Sequence, residues 1–206
     1  GGCKWQSIPY PEQLKNKERQ VIDQLTRIGH LNLPEISPVL GSEKVVEYRN
    51  KLEYTFSAKR WIDSSSESEG LSERERYGLG FHIAGLFDKV LDIDHCYLQP
   101  SPSNEIRLFV KRYAIGNGYS FFDLREQTGF LRTLVIRTTT TEETMVIVVF
   151  AYEDEMLRVK LLEAIRNEFP SISSLNWIIN SKKNDSLSDL ECHLYHGREY
   201  ITEKME

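Results

Sequence analysis

The chain has 206 residues, enough for one domain with a sizeable core or one domain and an appendage. Its apolar share of 40% and charged share of 28% are ordinary for a globular protein, and a net charge of −5 excludes a uniformly electropositive nucleic-acid binder. The longest apolar run, Met145 to Tyr152, falls far short of the ~20 residues of a membrane helix, so no membrane partner is expected.

From the N-terminus, Pro11 to Ile28 reads as a helix, because Leu14, Val21, Ile22, Leu25 and Ile28 recur at helical spacing before Gly29. His30 to Gly41, with Pro34 and Pro38, reads as extended linker. Val45 to Ser57 alternates. Val46, Tyr48, Leu52, Tyr54 and Phe56 make an apolar face, and Glu47, Arg49, Lys51 and Glu53 a wet one. Asp63 to Arg76 is rich in serine and charge and has little to bury, so a mobile insertion is expected near 62–76. Tyr77–Ile83 and Lys89–Ile93 read as short strands around an Ala84–Phe87 turn.

Ser103 to Gly118 reads as a second helix with Ser103 as N-cap and Ile106, Phe109, Val110 and Tyr113 inward. Phe130–Thr139 and Thr144–Tyr152 are two strands, and Glu153–Phe169 is a third helix stopped by Pro170. Ser173–Ile179 is another strand, and two short strands flank the His196–Arg198 turn. This order gives an α+β fold: a mostly antiparallel sheet with helices packed on one face. The chain divides into residues 1–43 (helix and linker) and a domain over 44–206. No strand leads into a Gly-rich phosphate loop, so no seat for a nucleotide or methyl donor is expected within it.

Three cysteines, odd in number and far apart, argue against a disulfide framework and fit a reducing, cytoplasmic setting. Cys3 follows two glycines, which let the backbone wrap close to a sulfur-bound anion, and Cys96 follows a strand. Both are either small buried hydrophobes or soft metal ligands, and two thiolates alone hold neither zinc nor an iron–sulfur cluster tightly. Cys192, His193 and His196 look metal-like. On a strand, however, His193 points away from the other two, so a core cysteine and two surface histidines are expected.

Cations recur at Arg49, Lys51, Arg132, Lys182 and Lys183, with Phe81, His82 and Trp61 as stacking partners. Gathered on one surface they would suit single-stranded RNA; left apart they are solvated strand faces and loops. The residues alone leave open an RNA-facing part of an enzyme, a stand-alone RNA-binding module, and a purely structural domain.

Several segments in series resemble the RNA uracil-5 methyltransferases, which make 5-methyluridine in ribosomal and transfer RNA. They are Gly-Gly-Cys-Lys-Trp-Gln at 1–6, Gln-Leu-Lys-Asn-Lys-Glu at 13–18, Tyr-Arg-Asn-Lys-Leu-Glu-Tyr-Thr-Phe-Ser at 48–57, Gly-Phe-His at 80–82 and Phe-Asp-Lys-Val-Leu-Asp-Ile at 87–93. Cys-Tyr-Leu-Gln at 96–99, Asn-Glu-Ile-Arg at 104–107, Leu-Arg-Thr-Leu-Val-Ile-Arg at 131–137, Asn-Ser-Lys-Lys-Asn-Asp at 180–185 and Gly-Arg-Glu-Tyr-Ile at 197–201 complete the series.

The resemblance implies the middle of such an enzyme, with a β-barrel RNA-binding domain before Gly1 and the S-adenosylmethionine-dependent catalytic domain after Glu206. It implies that Cys3 and Cys96 are two of four ligands to a [4Fe-4S] cluster. Within such an enzyme Arg49, Lys51, Phe81, His82, Arg132, Lys182 and Lys183 are the candidate RNA contacts, and ribosomal RNA is favoured over transfer RNA. The family's thiolate nucleophile and glutamate base match no position here, so this stretch alone is expected to be inactive. It is expected to be a monomer in which an exposed apolar helix face invites artificial association.

Overall fold

Alternation decides the strand that organises the sheet. Along β1 (Lys51–Ser57), Leu52, Tyr54 and Phe56 are buried while Lys51 and Glu53 face solvent. The computed structural model describes residues 5–62 and 70–205. Cys3 and residues 63–69, most of the serine-rich stretch, lie outside the described residues.

Seven strands form one mixed sheet in the order β3-β2-β1-β4-β5-β6-β7. The others are β2 (Gly78–Ile83), β3 (Leu86–Leu91), β4 (Leu131–Thr138), β5 (Thr144–Phe150), β6 (Ser174–Ile179) and β7 (His193–Gly197). All neighbours are antiparallel except β5 and β6, which α3 (Glu155–Glu168) joins as a parallel crossover. The chain leaving β1 curls round to the far edge of β3: the Trp61 N–H donates to the Val90 carbonyl at 2.7 Å, and Arg60 and Val90 form a parallel bridge. Gly80 makes the β2–β3 pairing possible, since a Cβ there would stand 2.0 Å from the Leu91 carbonyl oxygen.

α2 (Ser103–Gly116) and α3 cover one face. Ile106, Val110 and Ala114 from α2 and Leu161, Leu162 and Ile165 from α3 share a buried cluster with Leu52, Tyr54, Phe56, Leu134, Ile136, Val146 and Val148. Phe109 meets Phe169 edge-on at 5.5 Å between ring centres, and Asp154 caps α3 by accepting from the Leu157 N–H at 3.0 Å. The α+β fold, with a mostly antiparallel sheet and its helices on one face, matches the sequence reading.

Three local expectations are corrected. The strand expected from Val45 starts only at Lys51. Glu47 has a φ of 56°, and the amides of Glu47 and Arg49 bond to the carbonyls of Tyr97 and Leu98 instead of a strand partner. Tyr48 is exposed as a result. Ser103 is not the N-cap: it lies inside α2, buried, and its hydroxyl donates to Gln99 Oε1 at 2.5 Å. No strand follows Arg198 among the described residues. Of the stretch expected to be a mobile insertion, residues 70–76 hold a 3₁₀ turn (Arg74–Arg76), with Glu75 accepting from the Ser72 amide and hydroxyl.

Residues up to Val46 form a separate unit. α1 (Tyr10–Asp23) continues as a π-helical turn over Gln24–Ile28. The Gln13 side chain donates to the carbonyls of Trp5 and Ile8, and the Tyr10 hydroxyl accepts the Ser42 N–H at 2.7 Å, so residues after the helix fold back on it. α1 buries no residue, and Val21 on it and Leu25 on the π-helical turn are exposed.

Candidate nucleic-acid interface

Two of the recognisable segments, 96–99 and 104–107, lock to each other. Asn104 accepts the Cys96 N–H and donates to the Cys96 carbonyl, both at 2.9 Å. Buried Gln99 takes the Ser103 hydroxyl and donates to the Ile136 carbonyl at 3.0 Å, tying this loop to β4. Arg107, fully buried, reaches the carbonyls of Leu79 and Asp94 at 3.2 Å, and burial lowers its pKa. Tyr54 stands 3.2 Å from the Ser103 hydroxyl, and burial pushes its phenol up to about 12. Gln99, Asn104 and Arg107 hold this loop in place, and as buried groups they carry no surface signal in the sequence.

Cys96 is buried at the centre of this brace. Among the described residues, no group of three or more His, Cys, Asp or Glu side chains stands together. The described residues therefore do not make up a cluster site by themselves. The expected partner, Cys3, lies outside the described residues. Cys192, which precedes β7, is exposed and not the core cysteine expected of it. The His193 ring stacks on Trp177 at 4.2 Å, with the Arg158 guanidinium 3.8 Å from the same indole.

The second constellation centres on Arg132, 2% exposed on β4. One of its terminal nitrogens donates to the carbonyls of Asn180 at 2.7 Å and Lys182 at 2.6 Å. The other donates to the Asn184 carbonyl at 3.2 Å and Asp185 Oδ1 at 2.7 Å. Its guanidinium lies over the Phe122 ring at 4.4 Å. Asn180, also buried, adds a bond from Nδ2 to the Asn184 carbonyl at 3.0 Å and accepts the Lys182 amide at 3.0 Å. Arg132 is thus turned inward, a correction to its expected exposure as an RNA-contacting cation. It organises the loop that carries Lys182 and Lys183. Lys182 pairs with Asp189, and Lys183 is exposed with no carboxylate partner among the described residues.

The remaining candidates lie on β1, on β2 and in the segment before β1. Arg49 is exposed in the irregular segment before β1 rather than beside Lys51 on a strand. Lys51 opens β1 opposite Arg137 and pairs with Glu53 at 2.9 Å. Phe81 is half-buried against Tyr54, ring centres 5.1 Å apart, whereas His82 is exposed. Near them, exposed Phe87 lies under Arg125 at 5.1 Å, and Arg125 pairs with Asp88 and holds that carboxyl below its usual range.

No family model matches the chain. Over its full length it is 54% identical to an uncharacterised RNA methyltransferase of Porphyromonas gingivalis and 49% identical to one of Bacteroides thetaiotaomicron. It spans 45% and 46% of these proteins, about half the length of the curated relatives it matches. Among solved structures it is similar to Pyrococcus abyssi tRNA (uracil-54, C5)-methyltransferase in complex with S-adenosyl-L-homocysteine. There the identity is 26% and the TM-score 0.67, over 99% of this chain and 42% of that one.

Proposed function

From the premise that this chain belongs to the RNA uracil-5 methyltransferase family, we propose that the protein containing it methylates uridine C5 in RNA with S-adenosylmethionine as donor. The observation that carries this reading is the 54% identity across the whole chain to an RNA methyltransferase, joined to likeness in fold to a uracil-5 enzyme. S-adenosylmethionine supplies an electrophilic methyl group. The residues described here supply a surface that holds the RNA while chemistry proceeds elsewhere in the protein.

In this reading Lys182, Lys183, Arg49 and Lys51 meet phosphates, and His82 and Phe81 lie beside bases. The chain on its own transfers no methyl group, works as a monomer and belongs in the cytoplasm. Cys96 supplies one thiolate to an iron–sulfur cluster whose other ligands lie outside the described residues. Ribosomal RNA is the favoured substrate, although the solved relative is named for transfer RNA.

The test gives the full-length protein methyl-labelled S-adenosylmethionine with ribosomal or transfer RNA transcripts in separate arms, followed by nucleoside analysis. Label in 5-methyluridine is expected. Label confined to another position, or none with either RNA, overturns the reading.

A further inference from the structure

The loop after β6 has an unusual polarity, and Arg132 causes it. The carbonyls of Asn180, Lys182 and Asn184 all point at the buried guanidinium. Across a planar trans peptide the following N–H points the opposite way. The amides of Ser181, Lys183 and Asp185 therefore point away from Arg132, and none of them donates to an acceptor among the described residues. These three residues are exposed. Three of the loop's carbonyls are thus consumed inside, and the N–H groups across the same peptides are left on its outer side.

Asp185 pairs with Arg132 and Asp189 with Lys182, although both carboxylates are more than half exposed, while the Lys183 ammonium has no carboxylate partner among the described residues. Glu191, the next carboxylate along the chain, sits 3.7 Å from His193. An exposed rim of amide N–H groups beside a lysine fits a partner that presents closely spaced anionic acceptors.

We propose that residues 181–185 form a contact site for the phosphate–sugar backbone of the substrate RNA, with Arg132 as its positioning residue. This rests on the reading of the protein as an RNA methyltransferase and deepens it. Arg132 never touches the RNA. Its planar fork satisfies three carbonyls and a carboxylate at once, which a lysine's point charge cannot do. The loop is thereby ordered before the RNA arrives, so less conformational entropy is lost on binding.

The experiment measures RNA binding by the full-length protein across salt concentrations, with amide hydrogen exchange of the loop. RNA is expected to slow exchange at Ser181, Lys183 and Asp185. Lys183→Ala is expected to reduce the slope of log affinity against log salt by about 0.7, the share of one single-strand phosphate contact. Arg132→Lys is expected to speed loop exchange without RNA and weaken binding about tenfold, with exchange in β4 and β5 unchanged. The readout of β4 and β5 separates loss of the loop from loss of the fold. RNA bound normally with no protection in the loop overturns the proposal, as does an unaltered salt slope in Lys183→Ala. Failure of the unaltered protein to bind or methylate any RNA instead overturns the reading on which it rests.

Discussion

Asn104 closes a two-bond ring on the backbone of Cys96, accepting its N–H and donating to its carbonyl at the same 2.9 Å. Both residues are buried, so water cannot replace either bond once the amide is gone. Asn104→Ala is expected to cost about 2–3 kcal/mol, since it removes both bonds to Cys96 and a longer third one from Arg107 at 3.4 Å. Cys96→Ala, which keeps the ring, is expected to cost about 1 kcal/mol or less. Urea unfolding of both variants checks the order, and a larger loss in Cys96→Ala would show that the sulfur matters more than the brace.

A second expectation concerns iron. If Cys96 contributes a thiolate in the full-length protein, anaerobically purified protein should carry the broad visible absorbance of a cluster, and Cys96→Ser should lose it along with bound iron. Asn104→Ala should keep the ligand but lose iron faster to a chelator, because the peptide carrying the sulfur is no longer fixed. Iron content unchanged in Cys96→Ser would remove this residue from the ligand set.

The C-terminal stretch gives a pH-dependent outcome. Glu143 accepts from Arg198 at 2.6 Å and from the Thr202 N–H at 2.7 Å, and these bonds hold its pKa below the usual value, the Arg198 bond foremost. Glu203 is lowered likewise by the Thr140 hydroxyl and N–H. A carboxylate lowered in the folded state favours that state above its ordinary pKa of about 4.3, and the benefit vanishes as pH falls through the lowered value. Residues 198–205 should therefore loosen in acid before the sheet unfolds. Faster exchange at Thr202 than at Val148 between about pH 6 and pH 3, corrected for intrinsic rates, is the expected result. Parallel changes at the two amides would refute it.

Arg49 and Lys51 test the reach of the RNA surface beyond the 181–185 loop. Arg49→Glu with Lys51→Glu in the full-length protein should weaken RNA binding and flatten its salt dependence, because two cations become two anions. Thermal stability should hardly move. Arg49 is exposed, and the Lys51–Glu53 pair is a surface one of the kind that contributes about 1 kcal/mol or less. Unchanged affinity would confine the interface to other parts of the protein.

Periodicity was a good guide where a residue's partner is the core. Leu52, Tyr54 and Phe56, and the α3 stripe of Leu161, Leu162 and Ile165, are buried because their own spacing puts them on one side. It misled at Tyr48, where alternation runs on but the backbone pairs with residues about fifty positions away, a choice no local pattern records. Arg132 shows the same limit at the site. A cation on a strand looks like a surface group until the carbonyls of 180, 182 and 184 are seen around it. The signal that could have found it is compositional: Arg132 sits among Leu131, Leu134, Val135 and Ile136, in a strand apolar on both faces. The parallel β5–β6 pair left a signal, because the continuous apolar run of β5 and the helix that follows it are what a parallel crossover requires.

The curl that brings Arg60 and Trp61 against Val90 makes the two ends of the sheet unequal. At the β3 end, the outward carbonyl and amide of Val90 are already bonded to the protein's own chain. At the β7 end, His193–Gly197 pairs only with β6 among the described residues. An incoming strand would thus find free backbone groups along β7 and a partly blocked margin at β3, so lengthening of this sheet by neighbours is directional.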